Sequence, residues 1–268
     1  MDGHSNKLPG MESWRLLVSP ADSGARNLAT DQAVAEHVRD GASPPTLRFY
    51  TWRPAALSLG YGQPLAAVDA DLARQAGIDL VRRPTGGQAI LHNDELTYAV
   101  MLPRTHALAA GGVLRSYKRL SVGFQRGFAA LRLDARQDDW RPGASDGEGL
   151  LCFASPSTHE LSANGVKIMG SAQTRLGGGL LQHGSIPFAH DPRIHDVLRL
   201  PRPAALRGLR DLRTPAPTVG ALIEILATGF AEALRVILVP GGLTATERRS
   251  RDQLIRTRYA CDAWLARR

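Results

Sequence analysis

Between Trp14 and Phe188 the chain is cut into short runs of β-forming residues, parted by polar, glycine and proline turns. The runs are 14–18, 46–52, 56–61, 78–82, 89–92, 96–102, 166–169 and 179–188. Their β-branched and aromatic content and their flanking turn residues predict strands. Helical spacing of apolar residues predicts helices over 24–39, 68–76 and 114–131, the last with Leu120, Phe124, Phe128 and Leu131 on one side. After Pro201 the character changes. A Pro/Arg-rich stretch over 202–217 leads to a helix over 218–234 and a basic helix over 243–265. The expected organisation is a leader over 1–12, a main domain over 13–200, and a linker with C-terminal helices over 201–268.

With 268 residues, 43% hydrophobic and 22% charged, the chain can bury a substantial core. No apolar run reaches the roughly 18 residues of a membrane span, and no secretory leader is evident, so a cytoplasmic setting without membrane contact is expected. Two cysteines 109 residues apart (261 − 152) offer neither a disulfide framework nor a metal-ligand pattern. No metal and no cofactor are expected. The net charge of +8 comes from scattered arginines with only 6% aromatics, which argues against a nucleic-acid partner. A basic surface of this kind suits acidic proteins.

Of the 33 basic side chains only Lys7, Lys118 and Lys167 are lysine, leaving 30 arginines (33 − 3). A lysine retained within Asn164-Gly165-Val166-Lys167-Ile168-Met169-Gly170 points to chemistry that needs an amine: it can surrender its proton, and arginine does not. Fifteen residues upstream (167 − 152) is Cys152, closing a polar, glycine-rich loop. A thiol and an amine together suggest acyl transfer. Cys261, in a basic helix, is assigned no chemistry.

A second block, Arg82-Arg83-Pro84-Thr85-Gly86-Gly87-Gln88-Ala89-Ile90-Leu91-His92, ends a strand in two arginines and turns through paired glycines. Such a turn brings bare backbone N–H groups and cations up to a ligand, although Gly-Gly alone is equally a plain hairpin. His183-Gly184 follows the lysine block.

In this order the blocks 82–92, 165–172 and 183–184 resemble the lipoate/octanoate transferase and ligase superfamily, which is related to biotin–protein ligases. The run Cys152-Phe153-Ala154-Ser155-Pro156-Ser157, followed by Glu160-Leu161 and Lys167, is similar to the LipM-type octanoyltransferases. The resemblance extends over about residues 14–190. It implies an α+β fold, with mixed, mainly antiparallel sheets flanked by helices and a small C-terminal helical extension. It implies Cys152 and Lys167 as catalytic residues, with Arg83, Gly86, Gly87, Gln88, His92, Gly170, Ser171, Ala172, His183 and Gly184 binding substrate. It also implies octanoyl-acyl carrier protein as donor and glycine cleavage H protein or another lipoyl domain as acceptor. Amides near Gly87 and Gly170 would receive the oxyanion, and Val100, Leu102, Ile90 and Leu180 would wall an acyl tunnel.

The sequence departs from the family pattern at His159, where tyrosine is usual, and at Asn93, where aspartate often follows the motif histidine. Gln88 replaces the third glycine of ATP-dependent lipoate ligases and leans towards transfer without ATP. The rival readings are an amidotransferase moving octanoyl between lipoyl domains, an ATP-dependent lipoate ligase, and a catalytically silent module that recognises lipoyl domains.

Overall fold

The computed structural model describes residues 11–137, 160–201 and 206–267. Its elements in chain order are β1 (Glu12–Val18), α1 (Gly24–Arg39), β2 (Thr46–Tyr50), β3 (Ala56–Leu59), α2 (Ala70–Gln75), β4 (Asp79–Arg82), β5 (Ile90–His92), β6 (Glu95–Leu102) and α3 (Gly112–Ala130). They continue as β7 (Arg136–Gln137), β8 (Glu160–Ala163), β9 (Val166–Leu176), β10 (Gly179–Pro187), α4 (Arg193–Val197), α5 (Leu209–Leu212), α6 (Val219–Leu234), β11 (Val236–Pro240), α7 (Ala245–Leu254) and α8 (Asp262–Leu265).

The large sheet runs β11-β1-β2-β6-β10-β9-β8-β7, and a small sheet runs β4-β3-β5. Among the named strands of the described residues, β1 with β11, β1 with β2, and β3 with β4 pair in parallel and the other pairs are antiparallel. The expected α+β class with mixed, mainly antiparallel sheets describes this arrangement.

Strand alternation divides the core. Leu47, Phe49, Tyr98, Val100 and Leu102 meet Phe124, Phe128 and Phe230 of α3 and α6 on one face of the large sheet. Tyr50, Ala99, Met101 and Leu181 meet Leu28, Val34 and Val38 of α1 on the other. Leu57, Leu59, Ala73, Ile194 and Val197 form a third cluster around the small sheet.

Three expectations need revision. β9 continues to Leu176, well past the expected Met169, because Gly170–Leu176 stay paired with β10 while their polar side chains remain only half-buried. Val236–Pro240, not anticipated as a strand, adds to the large sheet beside β1. The helix expected over 243–265 breaks after Leu254 into a π turn at Ile255–Tyr259 and the short α8. Tyr259 is still buried against α1, as its spacing implied.

Glycines let α3 and α6 cross closely. A β-carbon on Gly229 would lie 2.3 Å from the Gly127 nitrogen, and one on Gly123 would lie 2.6 Å from the Phe230 ring. We predict that Gly229→Ala costs about 1–3 kcal/mol by overpacking this crossing. Calorimetry should record a melting temperature lower by about 2–4 °C for each kcal/mol.

Candidate functional site

The sequence places Arg83 at the end of a strand and glycines at the turn that follows, and the fold carries both to the rim of a cavity of about 380 Å³. This is within the roughly 300–1,000 Å³ usual for small-molecule sites. Of the ten expected substrate-binding residues, Arg83, Gly86, Gly87, His92, Gly170, Ser171, Ala172, His183 and Gly184 line it. Gln88 does not; its carbonyl instead accepts from Arg83 Nη2 at 2.7 Å. Leu28, Tyr50, Trp52, Ile90 and Val113 complete much of the apolar wall.

Val100, Leu102 and Leu180, expected in an acyl tunnel, are instead packed in the α3/α6 core, and only Ile90 of that set reaches the cavity. The reason is strand parity. Thr97 of β6 faces the cavity, so Tyr98, Val100 and Leu102 cannot all share that face with it.

Two histidines form the polar floor. The Asp31 carboxylate, fully buried in α1, accepts from Arg48 Nη1 at 2.5 Å, Tyr50 Oη at 2.8 Å and His183 Nδ1 at 3.3 Å. Burial pushes Asp31 up, but Arg48 and His183 outweigh it and hold the carboxyl below its ordinary value. Burial pushes His183 down, so its contact with Asp31 is that of a neutral ring donating from Nδ1. Its Nε2 then accepts from Thr85 Oγ1 at 2.7 Å, next to the Gly86-Gly87 turn.

His92 repeats the arrangement. Its Nδ1 faces Glu95 Oε1 at 2.8 Å and its Nε2 faces Ser58 Oγ at 2.7 Å, while Trp52 stacks on the ring at 4.1 Å. Glu95 also accepts from Thr97 and from Ser185. Burial raises the Glu95 carboxyl, but His92 and these hydroxyls bring it below its ordinary value.

The glycines are there for close approach. Gly87 has φ of +86°, and a β-carbon on Gly60 would lie 1.8 Å from the Gly87 carbonyl oxygen. A β-carbon on Gly184 would fall 2.5 Å from both the Gly170 carbonyl and the Tyr98 ring. Tyr98 holds Ser171 Oγ at 2.6 Å, and burial pushes its phenol up to about 12.

Lys167 does not line the cavity. It stands at the start of β9, after the Asn164-Gly165 turn, where both residues have positive φ as a two-residue hairpin requires. Its Nζ donates to the buried Glu160 carboxylate on β8. Asn93, the departure after the motif histidine, donates to Asp191 at the surface. Cys152 and His159 lie outside the described residues.

Arg82, the first arginine of the glycine block, is buried away from the cavity and donates to the carbonyls of Gly60, Gln63 and Leu265. The sequence reading missed Asp31, Ser58, Glu95 and Thr97 as members of the site. Their signal was polar residues interrupting otherwise apolar elements, notably Arg48 and Tyr50 on one face of β2.

The lipoyl protein ligase A/B catalytic domain family matches residues 23–231. Octanoyltransferase LipM of Brevibacillus brevis is 39% identical over 276 residues, covering 96% of this chain and all of the relative. Octanoyltransferase LipM of Kyrpidia tusciae is 40% identical over 271 residues, covering 95% and 98%. Among solved structures, a lipoate-protein ligase A bound with ATP superposes with a TM-score of 0.80 at 24% identity, covering 96% of this chain and 99% of that one. A two-part archaeal lipoate protein ligase from Thermoplasma acidophilum superposes with a TM-score of 0.74 at 22% identity, covering 96% and 97%. No helix among the described residues is long and apolar enough to cross a membrane.

Two outcomes follow from the floor of the cavity. Asp31→Ala strands the buried Arg48 charge and should cost about 3–5 kcal/mol in denaturant unfolding. Stability should also fall with acid in two stages. His183 titrates below its ordinary 6.5 in the folded protein, so its contribution is complete above that pH and is lost as pH falls below it. Asp31 and Glu95, held below their ordinary 3.8 and 4.5, contribute above those values and give up that stability at still lower pH. Unfolding free energy measured from pH 8 to 4 should be level above about 6.5 and decline beneath it; a flat profile across that range would refute the neutral His183.

Proposed function

The chain belongs to the lipoyl protein ligase A/B catalytic domain family, in its LipM octanoyltransferase branch, and from that premise we propose a donor, an acceptor and a covalent route. The donor is octanoyl-acyl carrier protein, and the acceptor is a lysine of glycine cleavage H protein or another lipoyl domain. The observation that carries the reading is the shared cavity: the Arg83–Gly87 turn, the Gly170–Ala172 segment and His183-Gly184 all open onto one largely apolar space.

In the first step the Cys152 thiolate attacks the thioester carbonyl. The new carbon–sulfur bond forms as the donor's carbon–sulfur bond breaks, and the departing donor thiolate takes up a proton. In the second step the acceptor amine attacks the octanoyl-cysteine carbonyl. The carbon–nitrogen bond forms, the Cys152 sulfur leaves, and the proton shed by the amine passes through Lys167 to that sulfur. The ammonium of Lys167 favours the thiolate before acylation. Glu160 fixes the lysine's position and keeps its charge compensated. Amides near Gly87 and Gly170 receive the oxyanion, at roughly 3 kcal/mol per donor. Arg83 braces the turn through the Gly86 and Gln88 carbonyls, and His92 and His183 hold the polar floor in register.

Incubation of the full chain with octanoyl-acyl carrier protein should give an octanoyl adduct by mass spectrometry, and Cys152→Ala should abolish it. Activity that requires ATP and proceeds without an adduct would favour the ligase, and neither activity would favour the silent module. Lys167→Arg keeps the charge but loses the proton relay. It should still form the adduct while transfer to the acceptor lysine drops by about 10²-fold or more. Unchanged transfer in that variant would remove Lys167 from the second step.

A further inference from the structure

The cavity has an open end and a closed one. Gly86, Gly87 and Val113 are the exposed members of its lining. Thr85, beside the glycine turn, hydrogen-bonds His183 on β10 at 2.7 Å. Ser116, one helical turn after Val113, donates to Gln173 on β9 at 2.9 Å. The opening therefore lies over β9 and β10. Leu28, Tyr50 and Trp52 are instead buried within one apolar cluster. The first turn of α1 is fastened over β2: Asn27 donates to the Thr51 carbonyl, and its own carbonyl accepts from Arg48, each at 3.0 Å. That contact sets Leu28 at the closed end, above β2.

Strand register gives the distance between the two ends. Gly170 faces Ser185, Ser185 faces Thr97, and Thr97 faces Tyr50, so the four form one row across β9, β10, β6 and β2. Directly opposite residues share a face of the sheet, and all four line the cavity. Their hydroxyls are already committed: Ser185 and Thr97 donate to Glu95, and Tyr50 donates to Asp31. With no donor left to spare, the row suits a hydrocarbon. From Gly170 to Thr97 is two inter-strand steps, roughly 10 Å at about 4.8 Å each. An octanoyl chain has seven carbon–carbon bonds and, at about 1.5 Å per bond, spans at most about 10 Å. Trp52 Nε1 donates to Thr97 Oγ1 at 2.7 Å, which puts the indole where such a chain ends.

We infer that Leu28, backed by Trp52, is the end-stop that sets the length of acyl chain this enzyme accepts. The acyl carbonyl lies at the Gly170 end, because Lys167 pairs with Glu160, the register partner of Gly170. The tail then runs along the row towards β2. Trp52 also stacks on His92 and holds Thr97, so its replacement disturbs the polar floor. Leu28 offers only a hydrocarbon face, and its size alone decides how far the tail can run. A longer chain must displace side chains packed in the core, and a shorter one leaves a void. Either mismatch is worth on the order of tenfold in kcat/KM per methylene.

The inference rests on the thioester-donor reading, and the test separates the two. Acyl-N-acetylcysteamine thioesters of six, eight, ten and twelve carbons are offered to the full chain, and kcat/KM is compared between lengths. A ratio taken within one protein cancels any loss of folded enzyme. The parent should peak at eight carbons. Leu28→Ala should raise the ten-to-eight ratio by about tenfold or more. Leu28→Val, which carries the test if the alanine variant does not fold, should raise it by less. Leu28→Phe should instead raise the six-to-eight ratio. Leu181→Ala removes the same three carbons from the same buried cluster without touching the cavity. It should lower the melting temperature and leave both ratios unchanged. A parent that prefers ten or twelve carbons, ratios that stay fixed in the Leu28 variants, or ratios that move equally in Leu181→Ala would each overturn the inference. Calorimetric binding of octanoate and decanoate to the same chains isolates the thioester step. If the parent forms no octanoyl-cysteine adduct but the binding ratio still follows the Leu28 substitutions, the end-stop stands and the thioester route falls. If the adduct forms and neither ratio responds, the route stands and the end-stop falls.

Discussion

Asp31 joins four parts of the molecule through one buried carboxylate. It sits in the first helix, takes hydrogen bonds from Arg48 and Tyr50 on the second strand, and orients His183 on the tenth. His183 in turn fixes Thr85, beside the glycine turn. A charge this deeply buried is tolerable only if several donors surround it. That requirement ties the packing of the first helix to the position of the cavity rim, so the site's shape is set by the same interaction that stabilises the core.

The His92–Glu95 pair has the same logic at the opposite side of the floor. Ser58, Thr97 and Ser185 come from three different strands and share one histidine–carboxylate pair. Through Ser58 the network reaches Arg83, whose guanidinium braces the Gly86 and Gln88 carbonyls. Motif residues that look like ligand contacts in sequence therefore divide into two kinds. Some line the cavity, as Gly86, Gly87 and Gly184 do, by having no side chain to fill it. Others, such as Arg83 and His183, both line the cavity and hold its wall.

The C-terminal segment is tied to the rim as well. Arg82 is buried among the carbonyls of Gly60, Gln63 and Leu265, and Trp264 Nε1 donates back to the Arg82 carbonyl at 2.9 Å. At the other end of the large sheet, Arg15 pairs with Glu247, which also accepts from Ser43 and caps its own helix through Thr244. The last sixty or so residues thus share ion pairs and hydrogen bonds with the part of the chain that bears the motifs.

Much of the fold was legible because local rules governed it. Short β-forming runs became strands, Leu120, Phe124, Phe128 and Leu131 did share a buried side, and Thr218 did cap the helix that follows it. The glycine blocks marked where backbone approaches backbone. What local rules could not supply was parity and partnership. Whether Val100 or Thr97 faced the cavity depended on which side of the sheet the helices covered, and the Val236–Pro240 strand on a parallel neighbour more than 200 residues earlier. The pairing of Lys167 with Glu160 needed the hairpin register to be set first. By itself the sequence determined the strand-rich α+β class, the order of the motifs and the family they belong to. Tertiary structure decided which buried charges meet, because an isolated carboxylate or guanidinium finds its low-dielectric partners only after the sheets and helices have closed around it.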